Sequence, residues 1–309
     1  MAYNLKEQMS KPERFEAGHR LCAGCGAGIT CRAMMRAMEP GDKAVICNAT
    51  SCLEVSSFQY PFTAWDDSYI HAAFENTSAV AAGVESAYKV MKRKDKIQDN
   101  FKILAIGGDG GTHDIGFQSL SGALERGHDF TYFCYDNEAY MNTGTQRSSA
   151  TPRFASATTT PAGVESVGKK QNQKDLTQIV VAHGSPYVAQ TTFLGNFKDF
   201  HEKAHKAIYT EGPTFVNVLC PCPRGWQYSA ELLPEICRLA VDTCIWPLYE
   251  VENGEYHLTY MPKKKLPVEE FMKLQGRFRH CFKPGNEWTI EAAQNYVDEK
   301  WEALLAKCK

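Results

Sequence analysis

The stretch KILAIGGDGG, residues 102–111, is an apolar run that ends directly in a glycine-rich turn. The run predicts a buried strand, and the residues after the turn predict a helix. Glycines let the backbone turn sharply and approach a ligand, and the helix would offer free N–H groups and a positive dipole end to an anion. Asp109 would lie at the strand tip, where a carboxylate can hold a divalent cation. Because such turns are common, this stretch alone favours an anion site and a plain tight turn equally.

A second polar cluster follows the next predicted strand. Residues 130–135 form an apolar run that leads into YDNEAYMNTG, residues 135–144. Neighbouring strand tips could present Asp109, the side-chain oxygen of Asn137 and a main-chain carbonyl to one ion, and Mg²⁺ or Ca²⁺ prefers such oxygen ligands. Loops after strands are often rich in Asp and Asn without binding anything. The pairing of the two segments favours a cation that neutralises a diphosphate held by the glycine turn.

The wider pattern alternates strands with helices. Strands are predicted at residues 44–47, 102–106, 130–135, 187–192 and 214–219, and helices at residues 70–91, 114–124, 176–182 and 197–209. This alternation predicts an α/β fold, with a mostly parallel sheet covered by helices on both faces. In such sheets ligands bind at the carboxyl ends of strands, which is where Asp109, Asn137 and residues 221–226 fall.

Two parts of the chain are distinguished. Residues 1–228 are predicted to form the main domain, and residues 229–309 a helical extension packed on it, with a hairpin that turns at Asn253 and Gly254. The polar residues 143–174 are too many for a passive connector, because loops beyond about 15 residues are usually functional or disordered.

The composition excludes several classes of protein. The chain has 309 residues and a formal net charge of -2, and its only basic block is the short run at residues 263–265. A nucleic-acid or anionic-membrane surface is therefore not expected. No apolar run is long enough for a transmembrane helix, and residues 1–14 lack the apolar core of a signal peptide. The sequence predicts a cytoplasmic protein.

The chain has twelve cysteines, and the spacing of some of them is compatible with metal ligation. Cys22 and Cys25 form a C-x-x-C pair, and Cys52, Cys220 and Cys222 occur at predicted strand ends. A lone C-x-x-C pair is shared by redox dithiols, zinc sites and iron–sulfur clusters. Four thiolates suit zinc or a cluster, and the spacing alone does not choose between them.

Several long segments, in chain order, carry a resemblance to a known family. They are LCAGCGAG from residue 21, NATSCLEV from 48, YPFTAWDDSYIHAAFEN from 60, GGDGGTHDIGFQSLSGALERGHD from 107, YDNEAYMNTGTQRSSATP from 135, CPCPRGW from 220 and IWPLYEVENG from 245. Over nearly its whole length the sequence resembles the thiamine-diphosphate subunit of pyruvate and related 2-oxoacid:ferredoxin oxidoreductases. The resemblance implies a thiamine-diphosphate-binding fold, with residues 1–228 as the cofactor-binding domain.

The resemblance also implies a ligand set for one 4Fe–4S cluster close to the thiamine cofactor. The implied ligands are Cys22, Cys25, Cys52 and Cys222. Cys220 is the rival of Cys222, which is preferred because it directly precedes the Pro-Arg-Gly-Trp turn where the family places its ligand. Cys52 would also lie beside the thiamine cofactor.

The thiamine site implied by the resemblance uses the two strand-end segments. Asp109, Asn137 and the carbonyl of Ala139 would hold Mg²⁺ on the diphosphate. Residues 108–111, which include Gly108, Gly110 and Gly111, would cradle the phosphates. Asn142 would reach the substrate and the thiazolium ring.

The implied activity is the oxidative decarboxylation of a small 2-oxoacid, with pyruvate and formation of acetyl-CoA favoured. Oxalate, which would yield two CO₂, and branched-chain 2-oxoacids stay open. The glutamate that activates the cofactor lies on a partner subunit in this family, and Glu75 is interpreted as a structural helix residue. The chain lacks a ferredoxin-type C-x₂-C-x₂-C-x₃-C run, so a further subunit with such clusters, ferredoxin and coenzyme A are expected partners. A decarboxylase without a cluster and a zinc-stabilised nucleotide-binding scaffold are the rival hypotheses.

Overall fold

A computed structural model describes residues 4–308, and their central feature is a mostly parallel β-sheet. The strands are β1 (Lys43–Ala49), β2 (Phe58–Gln59), β3 (Phe62–Thr63), β4 (Ser68–Ala72), β5 (Phe101–Gly108), β6 (Thr131–Asp136), β7 (Tyr187–Thr191), β8 (Thr214–Leu219), β9 (Tyr249–Glu252) and β10 (Glu255–Leu258). Within the described residues, eight of them form one sheet in the order β10-β9-β7-β8-β6-β5-β1-β4. The six from β7 to β4 run parallel, whereas β9 and β10 are antiparallel additions at one edge.

Helices cover both faces of this sheet. They are α1 (Leu5–Ser10), α2 (Gly26–Met35), α3 (Cys52–Ser57), α4 (Thr77–Arg93), α5 (Phe117–Glu125), α6 (Leu176–Val181), α7 (Phe197–Tyr209), α8 (Pro223–Trp226), α9 (Leu233–Asp242), α10 (Val268–Met272) and α11 (Glu287–Lys307). A π-helical turn (Gly110–Ile115) and two 3₁₀ segments (Ala230–Leu232 and Gly276–Phe282) complete the regular structure. In residues 4–308, no helix combines the length and the apolar character needed to span a bilayer.

The core consists of two apolar layers, one on each face of the sheet. Successive side chains of a strand point to opposite faces, and β5 shows this directly. Ile103 and Ala105 pack in the layer beneath α4, α5 and α6, whereas Leu104 and Ile106 pack in the layer beneath α2 and α7. The predicted α/β fold with a mostly parallel sheet and helices on both faces is confirmed.

The prediction of a helix over residues 70–91 was wrong at its beginning. Ile70 lies in β4, where it pairs in parallel with Cys47 of β1, and α4 begins only at Thr77. The small residues after Ile70 suit a packed helix, but Tyr69 and Ile70 suit a strand, and pairing with β1 decides between them. Glu75 is exposed in the turn before α4, so its assignment to a helix was also wrong.

The C-terminal part of the chain joins the main sheet. β9 pairs antiparallel with β7, and the β9–β10 hairpin turns at Asn253 and Gly254, both of which have positive φ. Apolar residues of α9, α10 and α11 pack into the layer that contains Ile103. The boundary between a domain at 1–228 and an extension at 229–309 stays a prediction.

One buried ion pair of α7 gives a stability prediction. Lys203 Nζ lies 2.8 Å from Asp199 Oδ1, and the side chains are 1% and 4% exposed. Lys203→Met is expected to lower the free energy of unfolding by about 3–5 kcal/mol, because it leaves the Asp199 carboxylate buried without its cation. Urea unfolding of the purified chain measures this change.

The matched control for that change lies on the same helix. Lys198 pairs with Glu202 over the same four-residue spacing, but at 3.8 Å and with 66% of the lysine side chain exposed. Lys198→Met is expected to alter the free energy of unfolding by no more than about 0.5 kcal/mol. Equal losses for the two variants would contradict the importance of burial.

Candidate functional site

Four neighbouring strands bring the candidate site residues to one edge of the sheet. β8, β6, β5 and β1 are adjacent and parallel, so their carboxyl ends lie side by side. Gly108 of β5 pairs with Tyr135 of β6, and Asp136 pairs with Leu219 of β8. The residues that follow these ends include Asp109, Asn137, Cys222 and, after β1, Cys52.

All the residues expected to bind the thiamine cofactor line one cavity at this edge. They are Cys52, Gly108, Asp109, Gly110, Gly111, Asn137, Ala139 and Asn142. The wall also contains six residues that were not predicted to belong to the site: Ser51, Phe74, Tyr135, Tyr140, Met141 and Thr143. Tyr140 and Phe74 stack with their ring centroids 5.6 Å apart, so two aromatic rings form one side of the cavity.

Three oxygen-bearing groups converge at the base of the cavity. The end of the Asn137 amide lies 2.9 Å from Asp109 Oδ1 and 2.8 Å from the carbonyl oxygen of Ala139. If the amide nitrogen points this way, it donates to both oxygens. If the amide oxygen points this way, three oxygens face one another and require a cation. The arrangement therefore fits a divalent ion with hard oxygen ligands.

The loop after β6 holds the Asp109 carboxylate from the other side. Ser148 Oγ donates to Asp109 Oδ2 at 2.5 Å, and Thr151 Oγ1 donates to the carbonyl of Glu138 at 2.5 Å. Asp109 is 1% exposed, and this burial raises the pKa of its carboxyl to about 7. Charge at this position is therefore costly without a cation. The segment 143–174 is therefore structured, and it contributes Ser148 to the site. The contact of Ser148 with Asp109 was not predicted.

Close packing explains two glycines of the turn. A Cβ atom on Gly110 would lie 2.5 Å from the Tyr140 ring, and one on Gly108 would lie 3.2 Å from the Tyr135 ring. Tyr140 is held in place because its hydroxyl donates to the Gly110 carbonyl at 3.1 Å and to Asp114 at 3.2 Å. A side chain at Gly110 would collide with the Tyr140 ring and one at Gly108 would press against the Tyr135 ring, so the packing favours glycine at both positions.

The candidate cluster ligands interact electrostatically with one another, and Cys52 among them lines the cavity. The pKa of Cys52 is raised to about 12, mainly by burial and secondarily by electrostatic repulsion from Cys222, Cys25, Cys22 and Asp109. Cys25 directly precedes α2, and the first residue of that helix, Gly26, donates its N–H to the carbonyl of Pro221 at 3.2 Å. This contact joins the C-x-x-C loop to the segment of Cys222.

The two rival cysteines occupy different environments. Cys220 is 1% exposed and donates to Thr30 Oγ1 at 3.4 Å. Cys222 is partly exposed, and its Sγ accepts from the N–H of Gly225 at 3.3 Å. Within residues 4–308, no three Cys, His, Asp or Glu side chains are grouped tightly enough for a single metal ion. A 4Fe–4S cluster binds each thiolate through a different iron, so its ligands need not lie that close together.

Comparison with known proteins gives the family. Residues 21–218 match the family model described as "Thiamine pyrophosphate enzyme, C-terminal TPP binding domain". The chain is 52% identical over 299 residues to pyruvate synthase subunit PorB of Methanocaldococcus jannaschii, which covers 96% of this chain and 98% of that one. The chain belongs to the thiamine-diphosphate-binding subunits of the 2-oxoacid:ferredoxin oxidoreductases. It is therefore part of an oxidoreductase.

One further relative and one solved structure are also similar to this chain. The chain is 44% identical to ketoisovalerate oxidoreductase subunit VorB of Pyrococcus furiosus over 305 residues, which is 97% of this chain and 96% of that one. A solved structure of 2-oxoglutarate:ferredoxin oxidoreductase from Magnetococcus marinus matches with a TM-score of 0.56 and 22% identity, over 73% of this chain and 79% of that one. This structural likeness supports the thiamine-diphosphate-binding fold.

Proposed function

We propose that the chain is the thiamine-diphosphate subunit of an enzyme that oxidatively decarboxylates pyruvate, forms acetyl-CoA and reduces ferredoxin. The observation that carries the proposal is the single cavity lined by all eight expected cofactor residues. The similarity to a pyruvate synthase subunit over nearly the whole chain favours pyruvate among the 2-oxoacids. Oxalate and branched-chain 2-oxoacids are the alternatives that the experiment below separates.

Asp109, Asn137 and the Ala139 carbonyl would hold Mg²⁺ on the diphosphate. Their convergence within 2.9 Å of the Asn137 amide supports this assignment. Burial disfavours the charged forms of both the Asp109 carboxylate and the diphosphate. The cation would neutralise both groups. Gly108, Gly110 and Gly111 would let the phosphates come close to the backbone.

Thiamine diphosphate, when bound, supplies the carbanion that attacks the 2-oxo carbon and allows CO₂ to leave. Asn142 is exposed at the open side of the cavity, where its amide would donate a hydrogen bond to developing negative charge on the substrate. The glutamate that activates the cofactor would come from a partner subunit that covers this open side. The phosphate-binding wall is thus contributed by this chain and the activating acid by its partner.

Cys22, Cys25, Cys52 and Cys222 would hold one 4Fe–4S cluster, which accepts electrons one at a time. The electrostatic repulsion that the thiolate forms of these four cysteines exert on one another supports the grouping. The contact of Cys220 with Thr30 favours Cys222 over Cys220. Cys52 interacts electrostatically with Asp109 as well, so the cluster would lie beside the thiamine site. Onward transfer to ferredoxin would pass through a partner subunit with ferredoxin-type clusters.

The test uses the enzyme purified anaerobically with its natural partner subunits. Iron, sulfide, thiamine and magnesium are quantified, and EPR is recorded after each 2-oxoacid is added with and without coenzyme A. Pyruvate with coenzyme A is expected to yield acetyl-CoA, CO₂ and reduced ferredoxin. Turnover of oxalate to CO₂ without coenzyme A, or preference for a branched 2-oxoacid, would overturn the assignment of pyruvate as the substrate. Zinc without iron, sulfide and thiamine would favour the scaffold hypothesis.

A further inference from the structure

A buried ion pair connects the candidate thiamine site to the C-terminal part of the chain. Arg277 Nη2 lies 2.6 Å from Glu138 Oε2, and the side chains are 3% and 4% exposed. Glu138 lies between Asn137 and Ala139, two of the proposed magnesium ligands. Gln173 also donates to Glu138 at 3.0 Å, and Arg277 Nε donates to Gln275 Oε1 at 2.8 Å. The ion pair is therefore buried, and further hydrogen bonds hold both of its side chains. The chemistry proposed above does not use this pair.

Arg277 also packs against the segment of a candidate cluster ligand. Its guanidinium carbon lies 3.7 Å from the centre of the Trp226 ring. Trp226 ends the short helix α8, whose N-terminal cap is Cys222, and its backbone N–H donates to the Cys222 carbonyl at 2.9 Å. The arginine charge is thus held next to the turn that carries Cys222, and the two groups interact electrostatically.

Trp226 fixes this arrangement relative to the thiamine site. Its indole Nε1 donates to the carbonyl oxygen of Asn137 at 2.7 Å, and the ring is fully buried. The indole therefore contacts both the backbone of a proposed magnesium ligand and the guanidinium of Arg277. Because all three groups are buried and hydrogen-bonded or stacked, the positive charge is held in one position, next to Glu138 of the thiamine site and to the segment that carries Cys222.

We propose that Arg277 is a tuning residue whose fixed positive charge raises the reduction potential of the cluster held through Cys222, while Glu138 moderates this effect from the thiamine side. The proposal rests on the proposed function, because it requires the cluster. An arginine stays protonated at all relevant pH values. Reduction makes the cluster more negative, so a buried positive charge stabilises the reduced form and a buried negative charge destabilises it.

The test is a double-mutant cycle on the assembled enzyme, with the cluster followed by EPR in a redox titration. Arg277→Gln is expected to lower the ratio of reduced to oxidised cluster at the wild-type midpoint potential by about tenfold. Glu138→Gln is expected to raise that ratio, and the double variant is expected to lie near the wild type because the pair is removed without a change in net charge. Arg279→Gln, an exposed change in the same 3₁₀ segment, is the control and is expected to have no effect.

Opposite shifts for the two single variants would separate charge from structural damage, because damage has no reason to change sign. Shifts in the same direction, or unchanged potentials with normal cluster content, would overturn the proposal. If Arg277→Gln fails to assemble, Glu138→Gln and the double variant still test it, because the double variant buries no unpaired charge. A wild-type enzyme without iron and sulfide would instead refute the proposed function itself.

Discussion

Asp109→Asn is expected to abolish Mg²⁺-dependent binding of thiamine diphosphate while leaving the cofactor-free protein folded. Asp109 supplies the only carboxylate among the three proposed ligands, so the amide removes the negative charge that attracts the cation. Without that cation the diphosphate would enter a cavity with no charge to neutralise it. Isothermal titration of the variant with thiamine diphosphate and Mg²⁺ measures the loss.

The same substitution is expected to leave the unliganded protein at least as stable as the wild type. Burial raises the pKa of Asp109 to about 7, above its value in the unfolded chain. Holding the carboxylate ionised above that pH therefore costs the folded state free energy, and asparagine removes the cost. Without ligand, the melting temperature of the variant should be no lower than that of the wild type. The rise in melting temperature that the cofactor causes in the wild type should be absent from the variant.

Asp95→Asn makes the same change at an exposed position after α4 and serves as the control. Asp95 has a positive φ of 52°, which asparagine adopts readily, so binding and melting should match the wild type. Normal Mg²⁺-dependent binding by Asp109→Asn would show that Asp109 is not the metal ligand. A variant that fails to fold without ligand would show that Asp109 has a structural role instead.

The strand ends could be predicted from sequence because local pattern determines them. The apolar run before Asp109 and the one before Asn137 place both residues at strand tips, and parallel pairing of β5 with β6 brings the tips together. The fold class followed from the same alternation. The family resemblance supplied the other predicted cavity residues, such as Asn142, which the spacing alone does not mark as site residues.

The supporting contacts could not be predicted because they join distant parts of the chain. Ser148 reaches Asp109 from the loop after β6, and Arg277 reaches Glu138 from the C-terminal segment. Nothing in the residues near Ser148 or Arg277 marks a partner 39 or 139 positions away. Such contacts depend on how the loop and the C-terminal segment pack on the finished sheet. For the same reason local composition failed at Ile70, where pairing with β1 overrides the small residues that follow.

The fold distinguishes Cys220 from Cys222 as a cluster ligand, which the spacing of the two cysteines cannot do. Both cysteines follow β8, which ends at Leu219, and a C-x-C spacing gives no reason to prefer either. The N–H of Cys220 still donates to the carbonyl of Asp136 at 2.7 Å, which continues the pairing of β8 with β6. Cys220 is thereby held in the apolar layer beneath α2 and α7, whereas Cys222 caps α8 on the side of the C-x-x-C loop.

Cys222→Ala is therefore expected to remove the 4Fe–4S cluster, and Cys220→Ala is expected to retain it. Loss of one of four thiolates leaves an iron without its protein ligand, so iron and sulfide in the purified enzyme should fall to background and the EPR signal of the reduced cluster should vanish. Cys220→Ala removes the same atoms from a buried position and should cost only packing, about 1 kcal/mol for so small a side chain. Iron, sulfide and thiamine analysis of both variants, assembled with their partner subunits, makes the comparison.

If Cys222→Ala loses the cluster, its thiamine content distinguishes the loss of a cluster ligand from a loss of local structure. If Cys222→Ala lacks the cluster but binds thiamine diphosphate, the cysteine acts as a ligand and the cofactor wall is intact. If both contents fall, Cys222 is needed for the fold of α8, since its Sγ accepts the N–H of Gly225 there. A cluster that survives in Cys222→Ala and disappears in Cys220→Ala would reverse the assignment. It would also require the buried Cys220 thiol to leave Thr30 and turn towards Cys25, which interacts with it electrostatically.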